Sequence, residues 1–494
     1  MRGGYGSRIV RRRTPLTCLL ALLACCAVGS AAAPAALALG RAPVASPEVG
    51  IEDQGVISGP LAPSVVPVWR AMGIDSVRVQ AFWDAISPGG TSPDRPAGFN
   101  PADHNDPQYN WAALDRAISI VLQNGMSVNL TINQCNPRWA SDEPANPTHC
   151  WRPNPQVFAQ FAATVGRRYG SSVTRYLLGS EPNQLPFLAP QYTCAAGRCT
   201  VEAPHIYRNL LNAAYPALKA ADPTSQVLIG ELAPIGSPPS PTSGLKPLTF
   251  IRELACTSKV RYLRIRTGAC ARFVAPKGDA VGYHPYVNNR KPPTFLIRDP
   301  DIAKIGDIPR LLVLLDNLSL RGRLRPSRGR KFSVYFTEYG YISNPPSARF
   351  GVSLARQARY NAQSAYRVWQ YRSRIKLLSQ YLWQDDATFA TGLLLSNGVA
   401  KPALADFMHP FFIDGRRRLA TFWGQVRPDA RRVVELQIRP RRSRTFRTIR
   451  RVSTNPGGYW VVRMRAVRFA SYRYVYRVGT TSVNSLTLPA PSRP

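Results

Sequence analysis

The chain is short of acids and of histidine. It carries 28 Asp and Glu against 64 Lys and Arg, and its five histidines stand at 104, 149, 205, 284 and 409. Those histidines have no ligand spacing, and no cysteine pair falls in a CxxC pattern, so no zinc ribbon or finger is expected. No GxGxxG follows the first strand-like run, which argues against an open dinucleotide-binding sheet, the runner-up fold. There is no RNP pattern and no basic helix with heptads, so no specific nucleic-acid partner is expected even at a formal net charge of +36. Beyond the first forty residues no run reaches the roughly 18 apolar residues of a membrane span. Nothing signals a metal or a cofactor.

What is present begins with an export signal. Arg2, Arg8 and Arg11 to Arg13 precede the apolar run "LTCLLALLACCAVGSAAA", and "AALALG" offers small residues for cleavage near Ala38. The expected product is a secreted protein. Two variants of that reading are twin-arginine export and a lipoprotein anchored at Cys25, which Leu23 fits poorly. Six cysteines follow the signal: 135, 150, 194, 199, 256 and 270. An even number in an exported chain points to disulfides. Close spacing favours the sequential pairing 135–150, 194–199 and 256–270 among the 15 that are possible. Without residues 1–38 the net charge is +31, overwhelmingly from arginine. Such a surface suits anionic cell-envelope polymers as partners.

Between residues 48 and 410, β-rich runs alternate with amphipathic helical stretches. Eight strands are expected: 48–53, 76–82, 127–133, 174–180, 226–232, 280–286, 332–340 and 378–384. Helical periodicity is clearest in "PQYNWAALDRAISIVLQNG", in "NPQVFAQFAATVGRRYG" and over 353–371. Repeated β–helix–β units imply a parallel sheet with right-handed crossovers, and eight of them imply a closed (β/α)8 TIM barrel. After His409 the helical period disappears. Residues 411–494 read as short, partly alternating strands rich in arginine, a small all-β, sandwich-like C-terminal domain.

Two acids stand out by position. Glu181 follows a buried-looking strand in "RYLLGSEPNQ", and Pro182 stops the ladder because it has no N–H. Glu338 ends the seventh strand in "VYFTEYGY". Barrel enzymes keep their chemistry at the C-terminal ends of the strands. Two facing carboxylates are what glycosidic cleavage needs. These motifs resemble glycoside hydrolase clan A. "GSEPNQ" is similar to its fourth-strand signature and "TEYGY" to its seventh, while "GYHPY" and "YLWQ" resemble its sixth and eighth. The resemblance covers roughly residues 48–410. It implies Glu181 as acid/base and Glu338 as nucleophile, with retention of configuration and a carbohydrate substrate. It further implies Arg78 and Tyr286 beside the nucleophile, with His284 adjacent, Trp383 as an aromatic floor, and Asn133 and Trp139 at the third strand. The clan carries Asn before its acid/base, where this chain has Ser180 among the substrate contacts.

Other readings belong to the same residues. Glu231 also ends a strand and reads as structural or peripheral to substrate, and Trp69, Trp83 and Trp151 read as packing. The expected function is a secreted retaining glycoside hydrolase. Its rivals are a catalytically silent barrel that binds envelope polysaccharide, with Ser180 in its favour, and a polyanion-binding envelope protein whose active feature is charge.

Overall fold

The computed structural model describes residues 46–287, 290–428 and 431–491. The expected signal at 1–38 lies outside the described residues. Eight parallel strands close into a barrel in chain order. They are β1 Glu48–Glu52, β2 Ser76–Phe82, β3 Ser127–Asn133, β4 Arg175–Leu178, β5 Gln226–Leu232, β6 Ala280–Tyr283, β7 Val334–Tyr339 and β8 Ile375–Tyr381. The principal helix after each strand is α1 Ala62–Ala71, α2 Ala112–Gln123, α3 Pro155–Tyr169, α4 Ala203–Ala221, α5 Pro247–Leu254, α6 Ile308–Leu320, α7 Leu354–Gln370 and α8 Pro402–Met408. This is a (β/α)8 barrel, and the chain adds a small β-sandwich after it.

Strands β2, β3 and β5 span the residues expected from sequence. β8 sits three residues earlier than expected. It stops because Leu382 turns to φ 69° and the Asp53 carboxylate captures the next two amides, Trp383 N–H at 3.0 Å and Gln384 N–H at 3.4 Å. In α2 the apolar stripe buries Leu114, Ala117, Ile118 and Val121, while Leu122 is exposed.

The barrel interior is layered, as alternation along each strand requires. Near the N-terminal ends of the strands, Arg175 Nη1 donates to Glu48 and Asn129 at 2.9 Å each. Above that lies an apolar layer of Leu177, Leu228, Ala280, Tyr335 and Leu377. The layer above is ionic and contains the candidate site.

Three disulfides join 135–150, 194–199 and 256–270, the sequential pairing. The second closes the hairpin of Tyr192–Ala195 and Arg198–Val201 after β4. C-terminal strands Phe411–Arg416, Leu419–Gln425 and Tyr459–Met464 form one sheet. Arg447–Ser453, Val433–Arg439, Ser471–Val478 and Thr481–Asn484 form the other. Both sheets contribute to one cluster, in which Phe422 packs edge-on against Tyr472 at 4.8 Å and Trp460 against Tyr474 at 5.2 Å. On the barrel side Tyr366 of α7 packs against Trp423 and donates to Asp414 Oδ2 at 3.0 Å. No described helix is long and apolar enough to cross a membrane.

Candidate active site

Arg78 rises from β2 into the barrel and is 1% exposed. A buried guanidinium needs carboxylates around it, and Arg78 has three. Its Nε and Nη2 donate to Glu231 at 2.8 and 2.6 Å, and its Nη1 lies 2.8 Å from Glu52 and 2.9 Å from Glu338. Nε also reaches Thr131 Oγ1 at 2.9 Å, and Nη2 reaches Ser180 Oγ at 3.2 Å. The sequence suggests only a structural or peripheral place for Glu231 and does not mark Glu52. Both lie at the centre. A strand ending in an acid ("GIED") was the same signal that drew attention to Glu181.

Two strands bulge to aim their acids. β5 shifts register between Ile229 and Glu231, and Gly230 lies at φ 52°. Leu228 faces inward, so strict alternation would have aimed Gly230 inward; the bulge substitutes Glu231. β7 shifts likewise between Phe336 and Tyr339, and Glu338 joins Arg78. β4 ends differently. Gly179 at φ 93° and Glu181 at φ 40° break the strand, and the Gln134 side chain clamps Ser180, donating to its carbonyl at 2.9 Å and accepting from its N–H at 2.8 Å. A left-handed glutamate is uncommon and persists only where its surroundings hold it. Here the Glu181 N–H donates to the Glu231 carbonyl at 3.0 Å.

His284, just beyond β6, links the acids. Its Nδ1 lies 2.9 Å from Glu181 Oε1 and 3.4 Å from Glu338 Oε2, and its Nε2 lies 3.8 Å from Glu231. Burial opposes its charge, yet the Glu338 charge, the hydrogen bond to Glu181 and the nearby Glu231 carboxylate push its pKa up to about 10, so it stands as imidazolium. Tyr286 Oη donates to Glu338 Oε2 at 2.9 Å. The tyrosine is walled by Tyr381 and Phe389, with ring centroids 6.1 and 5.3 Å away.

Environment separates the four acids. Glu52 and Glu231 side chains are 1% and 0% exposed, whereas Glu181 and Glu338 retain 20% and 12%. Only the latter two can meet a substrate. Burial raises the Glu231 pKa, but the Arg78 charge and His284 outweigh it and hold the group at about 2. Burial raises both Glu181 and Glu338, the latter to about 7, against the opposing pull of His284 and Arg78. One oxygen of each lies within 4.8 Å of the other, with the His284 nitrogen between. Like charges that close share a proton near neutrality.

Of the expected site residues, Arg78, Ser180, Glu181, His284, Tyr286 and Glu338 form this one contact network. Three lie outside it. Asn133 is buried at the end of β3, and its Oδ1 accepts from the Cys135 N–H at 3.0 Å. Trp139 donates to the Pro88 carbonyl at 2.9 Å and packs on Phe99. Trp383 is 8% exposed and packs edge-on against Trp69 at 6.5 Å. The half-buried aromatics beside the acids are Tyr381 and Phe389, which sequence reasoning passed over.

Fold and site together define a (β/α)8-barrel protein with a four-carboxylate, two-cation cluster at the C-terminal rim of its strands. No protein-family model matches the sequence. No curated protein matches it either. Solved structures align over most of its length. A glucosidase from Croceicoccus marinus is 14% identical, covering 88% of this chain and 96% of that one, with a TM-score of 0.49. A monomeric β-xylosidase from Caulobacter crescentus is 14% identical, covering 86% and 96%, with a TM-score of 0.43. An endo-β-1,4-mannanase from Thermotoga petrophila is 12% identical, covering 90% and 97%, with a TM-score of 0.40. At such identities none of these similarities assigns a role to a residue here.

Proposed function

We propose that this protein is an exported, retaining glycoside hydrolase whose catalytic unit is the barrel of residues 48–410. One observation carries the reading: the two carboxylates that reach solvent, Glu181 and Glu338, approach within 4.8 Å. Double displacement needs the pair about 5 Å apart, whereas inversion needs about 6.5–9.5 Å to admit a water. Three disulfides support export.

The roles follow from the surroundings. Arg78 and Tyr286 both donate to Glu338, which favours its anion and makes it the nucleophile. Glu181 carries the shared proton. In the first step Glu338 attacks the anomeric carbon as Glu181 protonates the leaving oxygen, giving a glycosyl ester and a free alcohol. In the second, Glu181 takes a proton from water, whose oxygen displaces Glu338 and restores both acids. Tyr381 and Phe389, rather than the buried Trp383, offer aromatic faces to the sugar. Ser180 Oγ is engaged by Arg78, so the hydroxyl contact expected from Asn in the clan is reduced here.

The test is mature protein against aryl β-glycosides and β-glycans, with Glu338→Ala alongside. Sugar release by the wild type and a loss of at least about a thousandfold in the variant is the expected result. A mechanism-based glycoside label found on Glu338 would place the nucleophile. No release and no label would leave the polysaccharide-binding barrel as the better reading.

A further inference from the structure

The two faces of the barrel differ in charge. Residues 48–410 carry a net +14. Two consecutive helix-to-strand connections hold most of it. Residues 256–278, between α5 and β6, contain six basic residues and no acid before Asp279, and residues 321–331, between α6 and β7, contain another six and no acid. Helix-to-strand connections lie at the N-terminal ends of the strands, away from the active rim.

These connections form one surface. Arg325–Pro326 pairs with Lys277–Gly278 as a short parallel ladder. The Arg321 guanidinium lies over the Tyr262 ring at 5.5 Å. Arg323 lies over Phe273 at 3.5 Å and donates to the Ala255 carbonyl at 3.0 Å. The first loop is stapled by Cys256–Cys270 and bridged at Thr257↔Arg264, which projects residues 258–263 as a tip. Among the described residues only Lys259 and Lys331 of the twelve make ion pairs, with Asp301 and Asp316. Apolar side chains stand among the arginines: Val260 is 68% exposed, Leu263 60%, Val274 63% and Leu320 75%. Single exposed apolar residues are ordinary, but four among twelve basic residues, ten of them without an ion pair among the described residues, are not.

We propose that this face docks on an anionic lipid bilayer. The guanidinium groups would meet headgroup phosphates, while Val260 and Leu263 enter the interface beneath them. Charge alone would suit any polyanion; the apolar tip selects a bilayer. The proposal does not depend on the catalytic reading.

Flotation of the mature protein with phosphatidylcholine vesicles containing about 30% phosphatidylglycerol tests it, at low and at high salt. Binding to these vesicles, loss on pure phosphatidylcholine and weakening with salt are expected. Arg261→Gln/Arg264→Gln/Arg266→Gln should weaken binding at least about tenfold. Val260→Ser/Leu263→Ser, which leaves the charge unchanged, should weaken it severalfold. Arg447→Gln/Arg450→Gln/Arg451→Gln on the sandwich should leave it unchanged, and circular dichroism checks that each variant is folded. Absence of binding to the phosphatidylglycerol vesicles overturns the proposal. So does binding indifferent to Val260→Ser/Leu263→Ser and competed by dextran sulfate, which would be plain polyanion adsorption. Loss confined to the sandwich variant overturns it as well.

Discussion

More depends on Arg78 than on either proposed catalytic acid. It is the shared partner of Glu52, Glu231 and Glu338. Removing one member of a buried ionic cluster leaves uncompensated charge and costs about 3–5 kcal/mol. Arg78→Met should therefore lower the unfolding free energy by about that much, read from denaturant titration, and abolish turnover; a variant as stable as the wild type would show that the cluster contributes little. Tyr286 gives a subtler test. Its hydroxyl donates to Glu338 and so favours the carboxylate. Without it the pKa of that carboxylate rises. Activity needs Glu338 ionised, so the acidic limb of kcat/KM in Tyr286→Phe should move to higher pH. In the wild type that acidic limb should fall near pH 7, where burial raises Glu338, and the alkaline limb reports loss of the Glu181 proton, which burial also holds above the ordinary carboxylate range. An acidic limb unmoved by Tyr286→Phe would sever the tyrosine from the nucleophile.

At the level of elements, the site depends on departures from regular strands. Gly230, at φ 52°, makes the bulge that aims Glu231 inward, and its N–H donates to Tyr207 Oη at 2.6 Å. A Cβ there would make only ordinary contacts, the nearest being Tyr207 Oη at 3.5 Å. Gly230→Ala should thus cost the left-handed penalty alone, about 1–2 kcal/mol. Its effect on kcat/KM should exceed that on thermal stability, because Glu231 holds both Arg78 and His284; equal small effects would make the bulge merely structural. These departures also mark where sequence was legible. Hydrophobic runs identified all eight strands, because burial on both faces writes itself into composition. Proline after Glu181 and the acid in "FTEYG" marked two strand ends. Period-two reasoning could not aim Glu231, since a bulge inverts alternation without changing composition. Nor could it end β8, where the stop comes from Asp53, some 330 residues away in the chain.

At the scale of the whole molecule, the seam between barrel and sandwich holds one acid the chemistry does not use. Asp406 in α8 is 2% exposed, and neither of its oxygens has a hydrogen-bond partner among the described residues. It borders a cavity of about 30 Å³ with Asn361, Gln380, Phe407 and Arg427. Burial raises its pKa well above the ordinary value, against the opposing charges of Arg427 and Arg359, so the folded protein holds it neutral. The unfolded chain ionises it near pH 4. Between those two values the folded state binds the extra proton, and stability falls as pH rises, by up to about 1.4 kcal/mol per pH unit. Asn has the shape of the protonated acid and cannot ionise. Asp406→Asn should therefore leave Tm nearly unchanged at pH 4 and raise it at higher pH, with the gain growing as pH rises above 4 until the folded protein's own Asp406 ionises. A gain independent of pH would mean that Asp406 is ionised in the folded protein, held by the arginines of the seam rather than by burial.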